Sequence, residues 1–124
     1  MVSSAARRSA PRAQLDASTG GSGSVDSAFL GTRVGHDIVL TLAAGQTFSL
    51  TVAGNTKDQT FTDLDVLGPG GGLTLLLPKK VSTNGLVVSF PKVLVNTTAN
   101  YTVEVTNIGA TAGRYKLTLK VSPP

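Results

Sequence analysis

The sequence predicts an all-β fold: an antiparallel, jelly-roll-like β-sandwich of about eight short strands with an extended N-terminal arm. Three segments, QTFSLTV, NYTVEVT and RYKLTLKV, place an apolar residue at every second position. Successive side chains of a strand point to opposite faces, so this alternation predicts one buried face and one solvated face. Turn signals separate the segments, and no helical pattern lies between them. The residues expected in the core are Phe48, Leu50, Val52, Val103, Val105, Leu117 and Leu119.

The first 24 residues are expected to form a flexible basic arm that ends in a Gly/Ser linker. Serine, alanine, glycine and arginine dominate this stretch, which has too few large apolar side chains to offset its ordering entropy. We therefore expect residues 25–124 to form the sandwich domain, and deletion of residues 1–24 to leave its melting temperature nearly unchanged. A cloning remnant would have a similar composition, and the sequence leaves that alternative open.

Strands are expected along the rest of the chain at residues 37–42, 46–53, 60–67, 73–77, 86–90, 92–96, 100–106 and 114–121. The pair Asn84-Gly85 between two apolar runs is a strong hairpin signal. Pro91 is expected to separate two strands, because proline has no N–H to donate to a central ladder. The glycine-rich run at residues 68–72 is expected to be a flexible loop, since no Lys-Ser or Lys-Thr follows it to make a phosphate loop.

Composition and charge exclude several functional classes. The chain has no cysteine, which removes disulfides, thiolate nucleophiles and thiolate metal sites. No apolar run approaches the ~20 residues of a membrane-spanning helix. The basic pair near the N-terminus has no apolar stretch after it, so no signal peptide is expected and the chain is either not exported by that route or a processed form.

The basic excess is concentrated in the arm. The formal net charge is +4, and residues 1–24 supply half of it with three arginines against one aspartate. Arg7, Arg8 and Arg12 are therefore the predicted partner-binding residues, because a guanidinium makes charge-assisted hydrogen bonds with an acidic surface.

Residues 44–121 resemble the bacterial pre-peptidase C-terminal (PPC) family of β-sandwich domains. The resemblance rests on AGQTFSLTV, TDLDVLGP and the paired ending YTVEVTN and AGRYKLTLKV, and covers about two thirds of the chain. It implies a non-catalytic accessory domain that binds protein or carbohydrate and is usually attached to a secreted enzyme. This chain departs from that setting, because it carries no catalytic domain beside the matching segment.

The residues that could carry catalysis are few. His36 is the only histidine, so a multi-histidine metal site is excluded. Its neighbour Asp37 should point to the opposite face of a strand, which prevents an acid–base dyad between them. We expect His36 to be a polar residue at a strand edge. We expect the protein to be neither an enzyme nor dependent on a cofactor.

A calcium site is the only metal site that the sequence leaves open. Asp63 and Asp65 share one face of a predicted strand, and Asp58 lies nearby. Calcium takes six to eight oxygen ligands in general, so these carboxylates could contribute to such a site. Carboxylates on a solvated face also occur for solubility alone, and no metal is the favoured expectation.

Nucleic-acid binding is not favoured. The arginines of the arm and the Lys79-Lys80 pair could contact phosphates, but single-strand binding usually adds aromatic stacking. The chain has four Phe, two Tyr and no Trp, and most of these fall on the predicted apolar strand faces.

The sequence thus favours a non-enzymatic structural protein, most concretely a viral capsid decoration (cement) protein of the virion. Its partner would be a protein, either a larger symmetric assembly or copies of itself, with no membrane contact. The arm-plus-sandwich layout and the lack of catalytic residues support this interpretation. The alternative is a secreted, extracellular PPC-like module that binds protein or carbohydrate.

Overall fold

The computed structural model describes residues 10–75 and 77–124, and these form an all-β sandwich. The strands are β1 (Ala10–Asp16), β2 (Gly21–Leu30), β3 (Gly35–Leu42), β4 (Thr47–Gly54), β5 (Asp65–Leu67), β6 (Lys80–Val81), β7 (Val87–Leu94), β8 (Ala99–Thr106) and β9 (Gly113–Val121). They form a four-stranded sheet in the order β1-β3-β8-β5 and a five-stranded sheet in the order β2-β9-β4-β7-β6. The predicted fold class is confirmed.

The register of the two sheets is antiparallel except at one edge. In the four-stranded sheet β3 runs antiparallel to β8, and β1 runs parallel to β3. In the five-stranded sheet β9 lies between β2 and β4, and both are antiparallel to it. No helix in the described residues is long and apolar enough to cross a membrane.

The core lies between the sheets and follows the predicted alternation. All the expected core residues named above are buried. In β9 every odd-numbered residue from Gly113 to Val121 is buried, while Arg114, Lys116 and Lys120 are exposed. Each fully buried leucine or valine contributes about 1.5–3 kcal/mol relative to solvent exposure, so this face holds the sheets together.

Four predicted strands need correction, and two of them lie between residues 60 and 77. Only the last three residues of the segment at 60–67 form a strand. Residues 73–75 contribute an isolated bridge between Thr74 and Leu67 rather than a strand, and Leu76 lies outside the described residues. The segment therefore crosses the open side of the sandwich as a loop, with Leu75 and Leu77 packed against the core.

The segments at 86–90 and 92–96 form one strand, β7, and not two. Phe48 pairs with Val93 while Leu50 pairs with Phe90, so β7 has one extra residue at this point. Pro91 lies in this bulge, and the next residue, Lys92, has a positive φ of 45°. A bulge leaves one backbone N–H out of the ladder, so a proline is tolerated there without ending the strand.

The described part of the N-terminal segment also differs from expectation. Residues 10–16 and 21–24 belong to β1 and β2, whose backbones pair with β3 and β9. Ala17 is buried and Leu15 packs against the core. The composition argument considered side-chain burial alone, whereas hydrogen bonding to the edges of β3 and β9 orders these small polar residues. The boundary of the sandwich domain therefore lies before residue 24, and residues 1–9 lie outside the described residues.

The short turn between β1 and β2 is held by local hydrogen bonds and by a buried glutamine. The Ser18 amide and hydroxyl donate to the Asp16 carboxylate, which lowers the pKa of that carboxyl group. Gln46 donates from Nε2 to the carbonyl oxygens of Ala17 and Ser122, at 2.7 and 2.9 Å. One side chain thus joins the β1–β2 turn to the C-terminal end of β9.

Candidate binding surfaces

One end of the sandwich, here called the loop end, gathers the connections β2–β3, β4–β5, β6–β7 and β8–β9, at residues 31–34, 55–64, 82–86 and 107–112. Backbone hydrogen bonds join them in series. The Arg33 amide donates to Asn107 O at 2.7 Å, and the Ile108 amide donates to Thr60 O at 2.9 Å. The Phe61 amide donates to Gly85 O at 2.9 Å. The loops therefore form one connected surface.

The buried side chain of Gln59 holds the β4–β5 loop in place through hydrogen bonds. Its side chain is buried, and Oε1 accepts hydrogen bonds from the amides of Asn55 and Thr56 at 2.9 and 2.8 Å. Its Nε2 donates to Arg114 O at 3.1 Å. The loop is therefore tied to the start of β9 through a side chain whose polar atoms are satisfied.

The side chain of Asn107 holds the β8–β9 loop in place, also through hydrogen bonds. It is fully buried, and its Oδ1 accepts from the amides of Thr60 and Gly109 at 3.1 and 3.0 Å. Its Nδ2 donates to Thr111 O at 2.8 Å. Sequence inspection did not single out Gln59 or Asn107, because an amide in a loop has no distinguishing pattern until its neighbours are known.

Close backbone packing also shapes the loop end. A Cβ on Gly109 would overlap the carbonyl oxygen of Asp58, so only glycine fits there. Asp58 itself has a φ of 69°, a left-handed conformation that aspartate tolerates better than most residues. The Ala110 amide donates to Asp58 O at 2.9 Å, which holds this conformation in place.

Exposed apolar side chains lie at this rigid end. Phe29, next to the last residue of β2, is 58% exposed, and Val34, just before β3, is 40% exposed. Ile108, two residues after β8, is 36% exposed. Loops that a scaffold holds rigid and that present apolar groups are typical of protein-recognition surfaces.

His36 lies inside the sandwich near the same end. Its Nδ1 is 3.0 Å from the hydroxyl oxygen of Tyr115, and the rings are 5.8 Å apart. The next residue, Asp37, is on the opposite face of β3, and Ile38 is again on the buried face. The structure therefore places His36 between the sheets rather than at a solvated edge, and pairs it with a tyrosine.

The three aspartates considered for calcium lie in different parts of the described structure. Asp58 is in a loop, Asp63 is exposed in the turn before β5, and Asp65 lies in β5 with its carboxylate 3.9 Å from Lys79 Nζ. Within residues 10–75 and 77–124, no group of three or more His, Cys, Asp or Glu side chains could hold a metal ion.

The predicted partner-binding arginines cannot be located in the structure. Arg7 and Arg8 lie outside the described residues, as does the side chain of Arg12. The backbone of Arg12 falls in β1, at the register shift between Pro11 and Ala13. Their role in binding stays a prediction.

The outer sides of the two sheets differ in composition. Glu104 in β8 is directly opposite Asp37 in β3 and Asp65 in β5, so three carboxylates lie side by side across the four-stranded sheet. These positions are far apart in sequence, and only the strand register brings them together.

The outer face of the five-stranded sheet is basic and rich in hydroxyls. Lys120 in β9 is opposite Ser22 in β2 and Ser49 in β4, and Thr118 is opposite Ser24 and Thr51. We call this the lysine–hydroxyl face; its members are Ser22, Ser24, Thr47, Ser49, Thr51, Lys116, Thr118 and Lys120. A shallow concavity of about 500 Å³ opens on it, lined by Ser22, Thr47, Ser49, Lys92, Lys120 and Ser122 among others.

Comparison with known proteins identifies the fold. No family model matches the sequence, and no curated protein matches it. Among solved structures, the periplasmic inhibitor of g-type lysozyme PliG from Aeromonas hydrophila is similar with a TM-score of 0.60 and 15% identity. The alignment covers 91% of this chain and 100% of that one.

Two further structures share the architecture. The PPC domain of collagenase from Bacillus anthracis has a TM-score of 0.58 and 10% identity over 90% of this chain and 97% of that domain. CorA, a surface-associated copper-binding protein of Methylomicrobium album BG8, has a TM-score of 0.55 and 9% identity over 94% of this chain and 100% of its own. At these identities the likeness concerns the fold, and at that level the predicted resemblance to PPC domains is confirmed.

Proposed function

We propose that this protein is a non-catalytic binding module that acts outside the cytoplasm and holds a protein partner through its loop end. The observation that carries the proposal is the hydrogen-bonded set of loops that presents Val34 and Ile108 to solvent, with Phe29 exposed beside them at the end of β2. Loops already held in one conformation lose little conformational entropy on binding, so apolar contacts there convert efficiently into affinity.

The similar structures support the compartment and the class. The similar proteins include a periplasmic lysozyme inhibitor and a surface-associated copper-binding protein, and a PPC domain shares the fold. An inhibitor and a binding protein on this fold favour a non-enzymatic role for this chain. Fold alone does not transfer a partner, so the loop end and its chemistry carry the assignment.

Other functions have less support. The similar structures give no support to a role in capsid decoration, so we prefer the alternative of an extracellular binding module. Copper binding, as in CorA, is not proposed, because His36 is the only histidine, the chain has no cysteine and it has one methionine. The arginines Arg7, Arg8 and Arg12 would add a second, electrostatic contact with an acidic partner.

The proposal is tested by mutating the loop end without disturbing the core. In the variant F29D/I108D two exposed apolar groups become carboxylates. The matched control is L73D, because Leu73 is 86% exposed and lies in the connection between β5 and β6. Proteins from the periplasmic or secreted fraction of the source organism are passed over each immobilised protein, and each retained protein is purified and its dissociation constant measured.

The expected result is a protein that binds the wild-type chain and L73D equally, and F29D/I108D at least about tenfold more weakly, as loss of a hot spot requires. A retained protein that binds all three chains equally would show that the loop end is not the site. The proposal would also be overturned if no fraction contained a protein that binds the wild-type chain more tightly than F29D/I108D.

A further inference from the structure

We propose that the lysine–hydroxyl face is a second binding site, one that takes a linear acidic polysaccharide. The face lies on the outside of the five-stranded sheet, and Phe29 of the proposed protein-binding surface borders it, because Phe29 in β2 is opposite Arg114 in β9. Its lysines and hydroxyl groups are not among the apolar groups of that surface, so the site is additional to it.

Two cations of this face project into solvent. Lys116 and Lys120 are exposed, and neither makes an ion pair with any described residue. Alternate residues of a strand are about 7 Å apart, so these lysines are separated by about 13 Å along β9. Two cations at this spacing can bind two acidic groups of one linear chain.

Hydroxyl groups flank the lysines on both sides. Ser22 and Ser49 lie opposite Lys120 from the two neighbouring strands, and Ser24 and Thr51 lie opposite Thr118 in the same way. A hydroxyl group both donates and accepts hydrogen bonds, which matches the hydroxyl groups of a sugar ring. The concavity of about 500 Å³ places Lys92 and Lys120 beside Ser22, Thr47 and Ser49.

The composition of the five-stranded sheet strengthens this site. Its strands contain Lys80, Lys92, Arg114, Lys116 and Lys120, and their one acidic residue is Asp26, at the register shift of β2. The side chain of Asp26 lies outside the described part of the chain. This excess of basic residues gives the lysine–hydroxyl face a positive local potential that attracts polyanions.

The composition of the face argues against other occupants. None of its members is aromatic, and the one exposed aromatic side chain bordering it among the described residues, Phe29, is at the loop end, opposite Arg114. Protein interfaces rely on aromatic anchors, and single-stranded nucleic acid binds by base stacking on several aromatic rings. A second copy would have to present its carboxylate row. That row is poorly available, because Glu104 is only 5% exposed and the carboxylate of Asp65 is already near Lys79.

The test uses the full chain and labelled alginate, a linear polyuronate, with neutral dextran as the control ligand. The variant K116Q/K120Q removes two cations from the face. The matched control R33Q/K57Q removes two exposed cations from the loop end, and therefore changes the net charge equally. Binding is measured by fluorescence anisotropy at about 50 and about 200 mM NaCl, since polyanion binding releases counterions and weakens with salt.

We expect alginate, and not dextran, to bind the wild-type chain and R33Q/K57Q, with K116Q/K120Q binding roughly tenfold more weakly and with a salt dependence reduced by about 1–2 in log–log slope. Equal losses in both variants would show a net-charge effect and would overturn the site. Binding of single-stranded DNA or anionic lipid vesicles in preference to alginate would also overturn it. The face variant should keep any protein binding by the loop end, so failure of one proposal does not entail failure of the other.

Discussion

The Nδ1 atom of His36 lies 3.0 Å from the hydroxyl oxygen of Tyr115, and this contact joins the two sheets of the sandwich. His36 belongs to β3 of the four-stranded sheet and Tyr115 to β9 of the five-stranded sheet. The Tyr115 ring is also 6.0 Å from that of Phe61. A polar contact between the sheets thus lies beneath the loops that we propose to bind a partner.

Removal of the tyrosine hydroxyl should weaken the sandwich without disturbing its packing. We expect Y115F to lower the free energy of unfolding by about 0.5–1.5 kcal/mol, the usual net value of a hydrogen bond. Urea denaturation of wild type, Y115F, H36A and the double variant gives the coupling energy. A coupling below about 0.3 kcal/mol would mean that the two residues act independently.

Truncation of a core leucine should be far more damaging. Leu117 is fully buried on the inner face of β9. We expect L117A to lower the free energy of unfolding by about 2–5 kcal/mol, because it removes buried methyl groups and leaves a cavity. The exposed neighbour Lys116 provides the control, and K116A should change stability by less than about 0.5 kcal/mol. Similar losses in both variants would contradict the assigned faces.

Glycine at position 109 should be required and glycine at 31 should not. A Cβ on Gly109 would overlap Asp58 O, whereas one on Gly31 would meet only Val34 Cγ2, at 3.5 Å. We expect G109A to lose about 1–3 kcal/mol or more through overpacking. Thermal melts of G109A and G31A compare the two sites directly. A G109A protein as stable as G31A would show that the β8–β9 loop can move away from Asp58.

Deletion of residues 1–24 should destabilise the domain, contrary to the expectation from composition. The deletion removes β1, the contact of Leu15 with the core, and the pairing of Gly21 to Ser24 with β9. We expect a loss of more than about 2 kcal/mol from the lost burial and backbone hydrogen bonds. The full-length variant R7Q/R8Q/R12Q keeps these strands and should keep the melting temperature. An unchanged melting temperature in the deletion would make β1 dispensable.

Calcium should not affect stability. Asp58 and Asp63 lie in the β4–β5 connection, and Asp65 is the first residue of β5, with its carboxylate near Lys79. A ligand that binds only the folded state raises the melting temperature, so calcium and a chelator should give melting temperatures within about 1 °C of each other. A clear drop with the chelator would indicate a calcium site that includes residues outside the described ones.

Local patterns were sufficient for the core and for one turn. The alternation in QTFSLTV and RYKLTLKV predicted that Leu50 and Leu117 are buried, because the two faces of a strand differ at every residue. Asn84-Gly85 lies in the β6–β7 connection, as its turn signal predicted. Pro91 was wrongly expected to end a strand, because a bulge accommodates it without breaking the pairing of β7 with β4.

The sequence by itself determined the fold class and the inner face, since both follow from the periodicity of neighbouring residues. Tertiary structure decided the rest. The opposition of Glu104 to Asp37 and Asp65, and of Lys120 to Ser22 and Ser49, depends on the register between strands that are distant in the chain. The roles of Asn107 and Gln59 in holding the loops became recognisable only through the hydrogen bonds that they accept from loop amides. Register and loop contacts arise from backbone pairing over long sequence separations, and no local pattern of side chains records them.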